Sequence, residues 1–336
     1  MVSSELAKNR PTMRDVAAAA GVSTALVSLV FRDSPNVSQH RRTRVLDAAD
    51  ALGFRPNALA RGLASRFSRT IGVLINDLHN PWFAEMYDGA EQAATAAGYQ
   101  ILLTTGNQRT SGEMRAINTM MEQRVDAIVL AGPRVSGSSI KAVCDEVPVV
   151  TVGRAFVGIN ADSVMANETV GAALAVDHLA SLGHRTIVHI DGGQGAGAAP
   201  RRAGYVRAMK RIGLPADVIG GDFSEAAGIA GVENLMRRKQ LPDAIFAAND
   251  LVAFGVMGAL ATRGRSVPGD VSLVGYDNTA TAHFTPIGLT SVDQPREAMG
   301  ELAIALLLER LTGQRLMKRN ETLVPTLVVR TTSAPR

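Results

Sequence analysis

The sequence predicts a mixed α/β protein: a small all-α module at the N-terminus, then a two-lobed α/β core built on parallel sheets. Three observations lead there. The chain has 336 residues, more than one hydrophobic core usually holds, because single domains stop growing at roughly 250–300 residues. Residues 1–70 carry 11 Lys/Arg against 5 Asp/Glu, and the rest carries 24 against 26; the net charge of +4 therefore hides a basic module on a near-neutral body. Beyond residue 70, short apolar runs alternate with helix-length stretches, the pattern of parallel strands joined by crossover helices.

The N-terminal module is read as residues 1–54. Thr12-Met13-Arg14-Asp15 forms a capping box that starts a helix running to about Ala20. Gly21 stops it in the left-handed conformation that glycine adopts most readily. Ser23 caps a second helix that runs to about Phe31, and Ser38 caps a third that ends at Gly53. Two short helices joined by a tight glycine turn make a helix-turn-helix. In the second helix Leu26, Val27 and Val30 form an inward stripe, leaving Thr24, Ala25, Ser28 and Leu29 on the face that would enter a major groove. A three-helix protein-binding module is the bland alternative; the confined basic charge weighs against it. A secretory signal is a further alternative, because Lys8, Arg10 and Arg14 precede an uncharged stretch. Asp15 and the Gly21–Thr24 break count against export, and no run reaches the ~18 apolar residues of a spanning helix.

Residues 55–69 read as a hinge helix and linker. Pro56 sets a turn, Asn57 can cap, and one or two helical turns follow through Ala60, Arg61 and Leu63. A helix this short is marginal alone in water, so it needs a partner helix or DNA to form.

These residues carry a resemblance. The "T-x-x-D-V-A-x-x-A-G-V-S" opening at Thr12, the "R-P-N-x-x-A-R-x-L" stretch at Arg55 and the "T-I-G-V" stretch at Thr70 are similar to the headpiece of the LacI/GalR family of bacterial regulators. The resemblance implies that two hinge helices of a homodimer enter the minor groove of a pseudo-palindromic double-stranded DNA operator, with Leu63 as the wedge and Ala60 beside it. Thr12, Ser23, Ser38, Arg41, Asn57 and Arg61 join the recognition-helix residues as expected DNA contacts; Arg32 and Arg41–Arg44 are expected at phosphates, which position the protein without specifying sequence. One departure matters. The family usually has an arginine where this chain has Leu29, so Thr24, Ala25 and Leu29 offer apolar contact to thymine methyls and no forked donor for guanine.

Residues 70–336 form the expected core, similar to the family's periplasmic-binding-protein-like body. Its apolar runs are Ile71–Ile75, Gln100–Leu103, Ala127–Leu130, Val147–Val152, Thr186–Ile190, Ala244–Ala247 and Val271–Val274. They are too many for one small sheet. Lobe 1 is expected over about 70–160 and 293–320, and lobe 2 over about 161–292 and 321–332. Ligands of open parallel sheets bind outside the strands' carboxyl ends. Trp82 and Phe83 follow the first strand, Asn249 and Asp277 follow later ones, Gln294 lies near a lobe crossover, and Arg201 occupies the family's arginine position. A stacking ring, a planar cation, amides and a carboxylate suit a hydroxyl-rich effector. A sugar or sugar derivative is expected, with a purine or nucleoside-like ligand as the alternative. Each residue also has a bland reading: Trp82 as lobe core, Arg201 as a surface ion pair, Asp277 as a turn former. Two features of this chain adjoin the expected cleft: Ala166 where many members have an acid nearby, and the glycine-rich loop Gly192–Gly197.

That loop also makes the best case for a nucleotide-dependent enzyme, but its spacing is G-x-G-x-G and Pro200 sits where the helix begins. A solute-binding transport component would need export and would carry no helix-turn-helix. The expected protein is a cytoplasmic, non-enzymatic regulator, a repressor by family habit, with no cofactor or metal site. Its single cysteine, Cys144, cannot pair within the chain and fits a reducing compartment. Because the basic surplus is confined to residues 1–70, DNA binding should weaken steeply with salt as phosphates release counterions. A fragment lacking residues 1–69 should stay folded and lose duplex DNA in a filter-binding titration; tight binding by that fragment would place the DNA surface elsewhere.

Overall fold

The computed structural model describes residues 11–31, 34–55, 67–238 and 241–336. The chain divides into two compact units, Met1–Ser68 and Arg69–Arg336. In the first, α1 (Met13–Ala20), α2 (Thr24–Phe31) and α3 (Gln39–Ala51) enclose Val16, Ala20, Val27, Val30, Val45 and Ala49. The capping box is closed on both sides: the Thr12 hydroxyl accepts from the Asp15 amide, and the Asp15 carboxylate accepts from the Thr12 amide at 2.7 Å. Gly21 ends α1 at φ 62°, and the chain bends by 105° between α1 and α2, within the range of a helix-turn-helix. The Ser23 hydroxyl caps α2 through the Leu26 amide at 3.2 Å. Ser38 occupies the cap position of α3, but its side chain makes no capping bond.

Among the described residues of the core, two sheets form. In the first lobe the order is β11-β5-β4-β3-β1-β2, with β1 (Thr70–Ile75), β2 (Gln100–Thr105), β3 (Ala127–Ala131), β4 (Val149–Val152), β5 (Asp162–Ala166) and β11 (Asn320–Leu323) all parallel. Alternate residues of β1 face opposite layers: Ile71, Val73 and Ile75 pack toward α4 (Pro81–Ala96) and α11 (Arg296–Leu311), while Leu74 packs toward α5 (Thr110–Glu122) and α6 (Gly137–Glu146). In the second lobe the order is β12-β10-β9-β8-β6-β7. Here β6 (Ile187–Ile190), β7 (Asp217–Ile219), β8 (Ala244–Ala247), β9 (Ser272–Asp277) and β10 (Thr290–Asp293) run parallel, and β12 (Thr326–Val328) closes the edge antiparallel. One face of that sheet packs on α7 (Glu168–Ser181) and α8 (Ala198–Arg211), the other on α9 (Glu225–Arg237) and α10 (Asp250–Ala261).

The chain crosses between lobes later than the sequence suggests at each passage. The strand after Asn160, β5, pairs with β4 in lobe 1, so the first crossing falls beyond Ala166. Asp293 pairs with Asp277 in lobe 2. Residues 321–323 pair with β5 in lobe 1, so the third crossing follows Leu323. For the first and third crossings the contact involved is an ion pair that apolar periodicity does not reveal. Asp162, fully buried, receives both Nη1 and Nη2 of Arg315 at 2.9 and 2.8 Å and the Arg319 amide at 2.6 Å, pinning the approach to β11 against β5. Removing one partner of such a pair leaves a buried charge uncompensated. Arg315→Ala should therefore destabilise the core by about 3 kcal/mol, read as a lower midpoint in urea unfolding; an unchanged midpoint would show the pinning to be dispensable.

Candidate functional site

The module's outer face is built as the sequence suggests. Thr24 and Ala25 are exposed and Leu29 is 37% exposed, with Ser28 half-buried between them. Thr12, Ser23, Ser38 and Arg41 are also at the surface to differing degrees. Arg42 and Arg44 also make bonds within the module. Arg42 donates to the carbonyls of Val30 and Ser34, and Arg44 donates to the carbonyl of Ala20 at 2.5 Å. Both guanidiniums thus close the ends of neighbouring helices within the module. Arg32 and the hinge residues Asn57, Ala60, Arg61 and Leu63 lie outside the described residues.

In the core, one cleft of about 730 Å³, counting space open to solvent, brings together all six of Trp82, Phe83, Arg201, Asn249, Asp277 and Gln294. Its walls are the carboxyl ends of parallel strands from both lobes, as open α/β sheets dictate. Asn76 and Asp77 follow β1, Gly132 follows β3, Gly153 follows β4, Asn249 follows β8, and Asp277 ends β9.

Arg201 is no surface residue. It is 3% exposed, and its Nε and Nη2 donate to one Glu168 oxygen at 2.9 and 2.8 Å. Nη1 donates to the Ala248 carbonyl, and the guanidinium lies 3.5 Å from the Tyr276 ring centroid. Burial works against its charge, yet Glu168, Tyr276 and Asp277 leave it more firmly protonated than a free arginine. Glu168 is a cleft residue that the sequence reasoning missed. The acid sought near Ala166 stands two residues on, at the start of α7, directly after its cap Asn167. Phe223, at the end of the short β7 connection, was missed as well; its ring centroid is 5.4 Å from the Arg201 guanidinium.

Asn249 caps α10 through the Val252 amide at 2.9 Å and also faces the cleft. Asp277 combines both of its readings. Its backbone is held at φ 105°, a strained conformation for a non-glycine residue, and its carboxylate accepts from Gln294 Nε2 at 2.6 Å. Burial pushes Asp277 well above the usual carboxylate range despite Arg201 nearby. Trp82 likewise combines roles: it belongs to the lobe 1 core at 7% exposure, meets Phe83 edge-on at 5.0 Å, and lines the cleft with an unpartnered indole N–H. Asn76 Oδ1 is a second buried lining atom without a partner. Among the described residues no group of three or more His, Cys, Asp or Glu could hold a metal ion, and no single helix is long and apolar enough to cross a membrane.

A two-lobed α/β core with a polar, ring-lined cleft at its strand ends, carried on the same chain as a helix-turn-helix module, defines a ligand-responsive regulator. Comparison places it further. Residues 12–57 match the model of bacterial regulatory proteins of the lacI family, and residues 176–333 match that of the periplasmic-binding-protein-like domain. The chain is 36% identical over 309 residues to catabolite control protein A of Priestia megaterium, covering 90% of this chain and 93% of that protein. It is 35% identical over 327 residues to the ribose operon repressor of Escherichia coli strain K12, covering 95% and 98%. The crystal structure of the lac repressor dimer bound to operator and an anti-inducer superposes with a TM-score of 0.86 at 28% identity, covering 97% of this chain and all of that one. The chain belongs to the LacI family and is a DNA-binding transcriptional regulator.

Next to the cleft residue Asn249 lies a buried titratable carboxyl, Asp250. Asp250 accepts from Ser291 Oγ, the Thr279 amide and the Thr279 hydroxyl at 2.6, 2.7 and 2.9 Å, and burial still pushes it up to about 6 from an ordinary 3.8. Folding thus takes up a proton between those values, and Asp250's contribution to stability is present at low pH and declines as pH rises from about 4 to about 6. The stability of the wild type relative to Asp250→Asn should fall across that window and level off above it, in urea titrations at stepped pH. Subtracting the variant also removes the opposing trend of buried His189, whose value burial lowers to about 4. A flat difference would mean that Asp250 is charged throughout.

Proposed function

We propose that the cleft binds a neutral, hydroxyl-rich effector, a sugar or sugar derivative, and that its occupancy sets the operator affinity of a homodimeric repressor. The observation that carries this reading is the balance of the lining. Asp77, Glu168, Asp222 and Asp277 face only Arg134 and Arg201, and Arg201 is neutralised by Glu168. An anionic ligand such as a sugar phosphate would enter a field already rich in carboxylates. A polyol, by contrast, meets amides, carboxyl oxygens, the unpartnered Asn76 Oδ1 and Trp82 N–H, and aromatic faces at Trp82, Phe83 and Phe223. Those rings also suit a purine or nucleoside, which is the second reading.

Effector occupancy alters DNA affinity only through unequal affinity for the core's arrangements, and coupling of about 1–3 kcal/mol corresponds to roughly 5–150-fold in operator affinity. On the DNA side, Thr24, Ala25, Ser28 and Leu29 read the major groove, while the hinge residues Asn57, Ala60, Arg61 and Leu63 engage the minor groove, two modules serving one palindrome. A regulator with this partner works inside the cell and needs no catalytic group.

A thermal-shift panel of neutral sugars, sugar phosphates and nucleosides tests the reading. A neutral sugar should raise the melting temperature, since ligand at 100 times its Kd stabilises by about 2.7 kcal/mol, and should change the fluorescence of Trp82, the only tryptophan. Stabilisation by sugar phosphates alone would overturn the charge argument. Asp277→Ala should weaken that sugar by about one to two orders of magnitude while the effector-free protein keeps operator affinity within about threefold. Arg201→Ala should weaken it likewise and, by leaving Glu168 buried without its partner, also lower the urea midpoint. Normal sugar affinity in both would move the site elsewhere.

A further inference from the structure

The glycine-rich loop between β6 and α8 has no place in the reading so far. It binds no nucleotide by its spacing, and only two of its residues, Gly195 and Ala196, line the cleft. What it packs against is specific. A Cβ built on Gly192 would lie 2.3 Å from Cε1 of Phe223, and one on Gly195 would lie 2.3 Å from Cε2 and 2.4 Å from Cδ2 of the same ring. Side-chain carbons do not approach so closely, so both glycines are needed for the ring to sit where it does. Between them Gly193, at φ 63°, closes on the backbone of the neighbouring strand-end loop, where a Cβ would lie 2.3 Å from the Gly221 carbonyl. Asn249 Nδ2 donates to the Phe223 carbonyl at 3.4 Å. The ring is therefore bedded on two glycines, Gly192 and Gly195, with the Arg201 guanidinium 5.4 Å from its centroid.

We propose that the Gly192–Gly197 loop is a recess that holds the Phe223 ring back from the cleft and thereby sets the size of effector the cleft admits. The proposal rests on the effector reading above for its ligand and on the glycine contacts for its geometry. A phenyl ring turns about its side-chain torsions more cheaply than packed backbone moves. A methyl group in the recess should therefore turn the ring away from the loop and into the cleft it lines, rather than unfold the lobe. Gly195 is the cleaner position to alter, because its φ is not left-handed and alanine suits its backbone. In its present form the recess favours ligands that extend beyond one sugar ring toward Phe223.

The test uses full-length wild type, Gly195→Ala, Phe223→Ala and the double variant. One-ring probes are D-ribose and D-glucose; two-ring probes are cellobiose and maltose; affinities are read from Trp82 fluorescence and calorimetry. Crystals of Gly195→Ala should show the ring displaced toward the cleft. Gly195→Ala should weaken the two-ring sugars about tenfold relative to the one-ring sugars, and the same substitution on the Phe223→Ala background should leave that ratio unchanged. An unmoved ring, or an equal change of ratio on both backgrounds, would overturn the recess. Should none of the four sugars bind the wild type, the effector reading fails by itself, and the ring position in the Gly195→Ala crystals still decides the recess either way.

Discussion

The core is organised around one buried cation. Arg201 projects from α8, pairs with Glu168 at the start of α7, donates to the Ala248 carbonyl beyond β8 and lies on the Tyr276 ring of β9. Four elements of lobe 2 thus meet at one guanidinium, directly beneath the cleft. A charge buried this deeply costs several kcal/mol in lost hydration unless geometry and hydrogen bonds compensate. Here a carboxylate, a carbonyl and an aromatic face supply the compensation before any ligand arrives. Arg201 and Glu168 are thus preorganised at the cleft, while the lobe 1 lining keeps three polar atoms without partners, Asn76 Oδ1, Trp82 Nε1 and Arg134 Nε.

That division matters because the lobes are joined by three separate crossings, and the polar bonds at those crossings bind each passage to its neighbours. Arg296, just after the second crossing, donates to Glu85 of α4 at 2.7 Å and to Asp293 of β10 at 2.9 Å. The second oxygen of Glu85 accepts from the Ala280 amide in lobe 2 at 3.1 Å. Three passages held by short polar bonds favour changes in which each lobe moves as a body, since packed cores are bistable rather than continuously deformable. A ligand that pairs lobe 1's open atoms while resting on the Arg201–Glu168 pair of lobe 2 would bind unequally to arrangements that differ in how the lobes face each other, which is what a switch requires.

How much of this was legible in the sequence follows from the range of each signal. The helix-turn-helix was legible almost to the residue because its cues are local: a capping box three residues wide, a stopping glycine and a serine cap. Trp82, Phe83, Asn249, Asp277 and Gln294 were legible because strand ends and crossovers are, and such folds bind there; Arg201, within a helix, was legible only through the resemblance. Glu168 was not, since attention fell on the strand at Ala166 and the acid belongs to the first turn of the helix that follows. Phe223 escaped because β7 is three residues long, too short for any period to register. The crossings were misplaced by a few residues because β5 and β11 are assigned to lobe 1 by Arg315 meeting Asp162, an ion pair spanning 153 positions. Arg42 and Arg44 read as phosphate ligands on charge alone, and only the fold shows their guanidiniums turned onto helix carbonyls.

The same contrast explains the glycine loop. In sequence its glycines suggest backbone approach to a phosphate, because that is the commonest use of such a run. In the fold the close approach is real, but the approaching group is the protein's own phenyl ring, some thirty positions along the chain. Glycine marks a place where something must come near; it does not say what. The distinction is chemical as well as steric. A phosphate site needs amides converging on negative charge, whereas this loop lies beside a cleft richer in carboxylates than in guanidiniums. Charge and packing therefore assign the loop to shaping a neutral site, and the feature that looked least like its family becomes the part of the cleft most particular to this chain.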